Sequence, residues 1–178
     1  MKNKVASNTA SAKLQAEKDA ISEKGNALHL APGTVTTLDL PGLGPVDVCG
    51  QWDSNADRKA VVILGPAKTS SFEPVAELIA AVAARGCNVI APKLDSAGSD
   101  KTLAREVAVL LALLDWLGVA APVIYGMDWG GIQAVKFKCT HTKRAKALVV
   151  EDRQGKVFRV RPGLNLQNPD LANPPLHP

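Results

Sequence analysis

Two hydrophobic periods alternate along the middle of the chain. Thr34–Leu40 and Val46–Trp52 read as two strands joined through the turn PGLGP. Ala60–Leu64 (AVVIL) and Asn88–Ala91 (NVIA) are short continuous apolar runs, the mark of strands buried on both faces. Between them Val75, Leu78, Ile79 and Val82 recur at helical spacing and predict a helix over Phe72–Arg85, stopped by Gly86. A second amphipathic helix, Lys101–Leu117, places Leu103, Val107, Leu110, Leu111 and Leu114 on its inner face and ends at Gly118. Pro122–Tyr125 predicts a strand, Gly130–Cys139 a helix and Ala147–Glu151 another strand, with KVFRVR offering one more short strand. Strands alternating with helices at this spacing imply right-handed crossovers. The fold class is therefore α/β: a mostly parallel sheet with helices on both faces and an antiparallel N-terminal hairpin on its edge.

The flanks lack this pattern and predict extended termini. Residues 1–32 form a polar arm in which Ala10–Lys24 has only a narrow helical stripe, Leu14 and Ile21. Residues 33–160 form the domain, and 161–178 a tail with five prolines after Arg161. A chain of 178 residues with 46% hydrophobic content suits one globular domain. No stretch of 18 apolar residues occurs, so no transmembrane segment is expected. Seven aromatic residues argue against a surface that stacks sugars or bases. Cys49, Cys87 and Cys139 are odd in number and far apart. They exclude a disulfide framework and a CxxC motif, and read as apolar filler in a reducing intracellular compartment, cytoplasm or organelle. The opening MKNKVASNTASAK has no apolar core of a secretory signal. No metal-ligand spacing appears, and neither a metal nor a cofactor is expected.

The candidate chemistry lies in Gly126-Met127-Asp128-Trp129-Gly130-Gly131, between a buried strand and a helix. This is a G-x-Nuc-x-G elbow with Asp at its centre. The central residue is held in a strained conformation while the chain reverses, and side chains two before and two after would collide. Here the chain resembles the α/β-hydrolase family. GMDWGG is similar to the elbow of epoxide hydrolases and haloalkane dehalogenases, where an Asp nucleophile precedes Trp and two small residues. LDSAGSD (94–100) resembles the loop after the family's fourth strand, and LGPA (64–67) stands at the position of its His-Gly-x-Pro oxyanion loop. The resemblance covers roughly residues 34–152. It implies Asp128 as a nucleophile that forms an ester, a His that then activates water, and a crevice bordered by Trp129, Pro66 and Ala67.

Four departures from the family pattern set the expectation for function. The family's His and supporting acid follow further strands, yet only 26 residues follow Asp152. His29 precedes the sheet, His141 follows the elbow helix at the end away from the nucleophile, and His177 lies in the tail, with Asp170 as its nearest acid. Pro66 has no N–H where an oxyanion donor belongs. The ring-activating tyrosine pair of epoxide hydrolases has no counterpart, since Tyr125 is the sole tyrosine. On these grounds Asp128 is expected to cap the following helix or bond local amides, and Trp129 to pack beside the elbow.

Charge points to a partner. Lys136, Lys138, Lys143, Arg144, Lys146, Arg153, Lys156, Arg159 and Arg161 face only Glu151 and Asp152, giving that stretch +7 in a chain of net +4. The asymmetry suits an acidic protein surface or anionic lipid headgroups. Nucleic acid is disfavoured, because interleaved aromatics, zinc spacing and RNA-binding motifs are absent. A truncated α/β-hydrolase-like sheet that stops at its sixth strand would also leave an open edge for another chain to cover. The preferred reading is a non-catalytic accessory or structural subunit of a larger complex, an organellar, membrane-associated one among the settings it fits. The alternative is an ester- or epoxide-type hydrolase using Asp128, with missing groups supplied by a partner chain. A third reading is a small-ligand module that uses the crevice above the elbow.

Overall fold

The runs AVVIL and NVIAP lie side by side at the centre of the sheet as parallel strands β3 (Ala60–Leu64) and β4 (Asn88–Pro92), with Val62 opposite Ile90. The computed structural model describes residues 28–54, 56–66, 71–96 and 102–160. On one side of this pair stands the antiparallel hairpin of β1 (His29–Leu40) and β2 (Gly44–Asp53), joined to β4 through β2. On the other side β5 (Val123–Met127) and β6 (Ala147–Glu151) continue the parallel sheet, and β7 (Val157–Val160) closes it. The seven strands run in the order β1-β2-β4-β3-β5-β6-β7.

Alternation along the central strands separates two cores. Val62, Leu64, Ile90, Ile124 and Leu148 face helices α2 (Leu103–Trp116) and α3 (Trp129–Thr140). Ile63, Val89 and Ala91 face α1 (Glu73–Ala83) through Val75 and Ile79. The continuous apolar runs follow from this arrangement: a strand covered on both faces has no side on which to place polar residues. The helix boundaries have local causes. Pro74 sits in the first turn of α1, and Gly86 with φ 74° ends the turn that follows it. Thr102 Oγ1 accepts from the Arg105 N–H at 3.3 Å at the start of α2, and Gly118 with φ 68° follows its end.

Three expectations are modified. Strand β1 starts at His29 rather than Thr34, and its register shifts between Leu30 and Thr34. Pro32 cannot donate to the ladder there, and Gly33 takes φ 72°. The inner face of α2 includes Glu106, Val109 and Leu113, while Leu111 is only half-buried. The edge beyond the sixth strand is not open: β7 pairs antiparallel with β6, Val150 opposite Phe158. The edge strand leaves Val157 and Phe158 exposed and carries Arg159. Among the described residues no helix is long and apolar enough to cross a membrane. The expected helix at Ala10–Lys24 and the Pro-rich tail lie outside the described residues.

Phe137 of α3 is fully buried among the α2 side chains and the sheet. Truncating an aromatic core residue removes its buried surface and leaves a cavity. Phe137→Ala is expected to lower the unfolding free energy by about 3–5 kcal/mol, read from urea denaturation. A loss near zero would place Phe137 outside the core.

Candidate active site at the strand–helix elbow

The chain passes from β5 into α3 through Asp128, whose φ of 50° and ψ of −113° belong to a region that normally requires glycine. Asp128 is the sole non-glycine residue with positive φ among the described residues. The neighbouring glycines are forced by close approach. A Cβ on Gly126 would stand 2.4 Å from the Gly130 carbonyl oxygen, and one on Gly130 would stand 2.1 Å from that of Leu64. Two backbone hydrogen bonds tie the turn: Asp128 N–H to the Glu151 carbonyl at 3.1 Å and Gly131 N–H to the Asp128 carbonyl at 3.0 Å.

The Asp128 carboxylate does not cap α3, contrary to expectation. Side-chain capping needs extended backbone angles at the N-cap, and Asp128 lacks them. Instead its Oδ1 accepts from Arg153 Nε at 2.7 Å, with the carboxylate side chain one-third exposed. That hydrogen bond and the Asp128 charge hold the Arg153 guanidinium pKa above its ordinary value. Among the described residues Asp128 Oδ2 has no hydrogen-bond partner. The carboxylate faces a groove of about 590 Å³ with apolar walls from Leu103, Ile132, Val135 and Val150.

Trp129 belongs to a different space. With Pro66, Phe72, Leu94, Glu106 and Gln133 it lines a crevice of about 560 Å³ that Asp128 does not border. The structure thus brings Pro66 and Trp129 together and sets Asp128 on the other side of the elbow; Ala67 lies outside the described residues. Trp129 is held by Glu106, whose Oε2 accepts from Trp129 Nε1 at 3.2 Å and from Gln133 Nε2 at 3.0 Å. Glu106 is 4% exposed. Its only mark in the sequence is that of a lone carboxylate one turn before Leu110 on an apolar helix face, which periodicity alone does not single out.

No histidine reaches Asp128 among the described residues. His29 lies on the far edge strand, 3.9 Å from Asp53, and His141 lies against Phe137 in a tilted ring contact at the other end of α3. Asp170 and His177 lie outside the described residues. The same residues contain no group of His, Cys, Asp and Glu placed to hold a metal ion. Of the cysteines, Cys49 is buried, Cys87 half-buried and Cys139 exposed, and burial pushes the Cys49 thiol pKa up.

The basic stretch is divided rather than continuous. Lys138 Nζ donates to the carbonyls of Thr142 and Ala145, and Arg144 donates to Asp115 at 2.6 Å and to the carbonyls of Val119 and Ala120. Lys138 is spent on closing the end of α3, and Arg144 on tying the turn after α3 to the end of α2 and the loop that follows it. Lys143 and Lys146 precede β6, whereas Arg153 and Lys156 follow it. A five-residue strand separates the two groups by about 15 Å at the usual rise per residue. Lys136 lines the Asp128 groove, Arg159 is exposed on β7, Lys156 Nζ lies over the Phe158 ring, and Arg161 lies outside the described residues.

Glu151, at the end of β6, also lines the Asp128 groove and accepts a hydrogen bond from the Tyr125 hydroxyl. Burial, the hydrogen bond to Glu151 and the Glu151 charge together push the Tyr125 pKa up to about 12. The folded chain then keeps a proton that the unfolded chain loses near pH 10, so stability is full below pH 10 and falls as pH rises toward 12. Tyr125 is the single tyrosine, so tyrosinate absorbance reads it directly. The folded protein is expected to show little tyrosinate at pH 11, and Tyr125→Phe to flatten the loss of stability above pH 10. Ordinary titration near pH 10 in the folded protein would contradict the assignment.

No family model matches the sequence, and no curated protein does. Similar solved structures include a CIB-like hydrolase from Thermoplasma acidophilum, at 20% identity and a TM-score of 0.57, over 66% of this chain and 61% of that one. An epoxide hydrolase from Vigna radiata is similar at 21% identity and TM-score 0.55, over 66% of this chain and 37% of that one. Epoxide hydrolase A from Mycobacterium thermoresistibile gives 18% identity and TM-score 0.56, with coverage of 66% and 38%. The chain thus corresponds to well under half the length of these two epoxide hydrolases. At such identities the likeness is one of fold: with the strand order and the elbow, the described domain has an α/β-hydrolase-like fold, similar in its backbone to part of these epoxide hydrolases.

Proposed function

We propose that the chain is the nucleophile-bearing part of a hydrolase of the ester or epoxide type, with Asp128 attacking carbon and a partner chain supplying the groups that complete turnover. The observation that carries this reading is the backbone of Asp128. An L-residue held at φ 50° and ψ −113° costs on the order of 1–3 kcal/mol. A capping or packing role gives no return for that strain, and the side chain makes no cap. The exposed, ionised partner Arg153 fixes Oδ1 and leaves Oδ2 free for attack. The fold's likeness to epoxide hydrolases supports the same chemistry.

With an epoxide the step balances simply. Asp128 Oδ2 forms a bond to a ring carbon, that carbon's bond to the ring oxygen breaks, and the oxygen takes a proton from water. The product is an ester of Asp128 carrying a neighbouring hydroxyl. Hydrolysis of that ester needs a base to activate water. No described histidine stands beside Asp128, so the ester is expected to accumulate on the isolated chain. Incubation with styrene oxide should add the mass of one epoxide to the peptide containing Asp128, and Asp128→Asn should abolish the adduct. An unmodified wild-type peptide after prolonged incubation would count against the proposal.

A second reading, a non-catalytic subunit of a larger complex, is favoured by one observation. Ile132 on α3 and Val157 and Phe158 on the edge strand are large apolar side chains left exposed. Such residues at a sheet edge suit coverage by another protein. Under this reading Asp128 and Arg153 form only a surface tie, and no adduct forms.

A further inference from the structure

The crevice beside Trp129 holds a buried carboxylate that the chemistry of Asp128 does not use. Glu106 is 4% exposed, and the crevice is the space its remaining surface borders. Both of its hydrogen bonds, from Trp129 Nε1 and Gln133 Nε2, converge on Oε2. No donor among the described residues reaches Oε1. A carboxylate has about four acceptor sites, and Oε1, which is not sealed from solvent although the residue is buried, keeps its own open toward the crevice. The rest of the wall is mainly apolar, from Pro66, Phe72, Leu94 and the Trp129 ring. Lys93 and Asp95 also border the crevice and are opposite in charge, so among the described lining residues Glu106 is the remaining charge. Its volume of about 560 Å³ lies within the range of small-molecule sites.

From these features we infer that the crevice is a binding site for an organic cation: a protonated amine on an apolar, preferably aromatic, body. The ammonium group donates to the open acceptor Glu106 Oε1, and the body packs on Pro66, Leu94 and the indole face of Trp129. The electron-rich indole adds a further attraction for positive charge. The inference stands independently of Asp128, which lies outside the crevice.

The test uses the indole N–H resonance of Trp129, assigned with Trp129→Phe, since Glu106 accepts from that N–H. Three probes of similar shape are titrated into the full chain: phenethylammonium, 2-phenylethanol and 3-phenylpropanoate. The cation is expected to bind at least tenfold more tightly than the alcohol and to shift the Trp129 signal, and the anion to bind no more tightly than the alcohol. Glu106→Gln, which keeps an acceptor for Trp129, is expected to bring the cation down to the affinity of the alcohol. Equal affinities for all three probes in the wild type would overturn the inference even if the variant failed to fold. Undiminished cation binding in a folded Glu106→Gln protein would overturn it as well. Titration of Asp128→Asn should match the wild type, which separates a failure here from a failure of the covalent chemistry.

Discussion

The fold turns on the approach of one helix backbone to one strand. Gly130 Cα lies so close to the Leu64 carbonyl that any side chain there would overlap it, and Gly126 packs against the Gly130 carbonyl with the same tightness. That contact sets α3 directly on β3 and β5, and it leaves only one residue, Asp128, to absorb the reversal. Asp128 therefore takes backbone angles suited to glycine. The consequence reaches both ways: the turn is locked by hydrogen bonds to β6 and within itself, and its central side chain stands at the end of the sheet.

The same turn divides the space above the sheet. Asp128 and Trp129 are adjacent in sequence, yet one faces the groove between α3 and the β6–β7 hairpin, and the other faces the crevice under α1 and the loop after β4. Each is held by a charged group from another element. Arg153 holds the carboxylate at the groove, and Glu106 holds the indole at the crevice. Both partners are structural neighbours of the elbow and distant from it in sequence. The elbow thus presents a carboxylate and an indole to two separate spaces on either side of a single corner.

Much of this architecture was legible in the residue pattern, because buried strands and amphipathic helices impose periodicities. Ala60–Leu64 begins and ends where its apolar run does, and Ala147–Glu151 extends one residue beyond its own. The elbow was legible because glycine spacing reports steric contact directly. What escaped depends on tertiary pairing. Glu106 looked like one polar residue on a helix whose other positions explained its packing, and only the fold shows its carboxylate meeting Trp129 and Gln133. Arg153 was counted as part of a basic stretch, but the strand β6 splits that stretch and turns Arg153 onto Asp128. The capping role assigned to Asp128 rested on residue preference, and the backbone angles at that position override the preference.

The chain geometry imposes on residue 128 a conformation suited to glycine, and stability reads this constraint most directly. Both Asp128→Gly and Asp128→Ala remove the carboxylate and its tie to Arg153, so their difference isolates the backbone. At an ordinary position alanine is the more stable by about 0.4–1 kcal/mol, because glycine leaves the unfolded chain freer. Here the order should reverse, with Asp128→Gly more stable than Asp128→Ala by about 1 kcal/mol or more in urea unfolding. An alanine variant as stable as the glycine variant, or more so, would contradict the account.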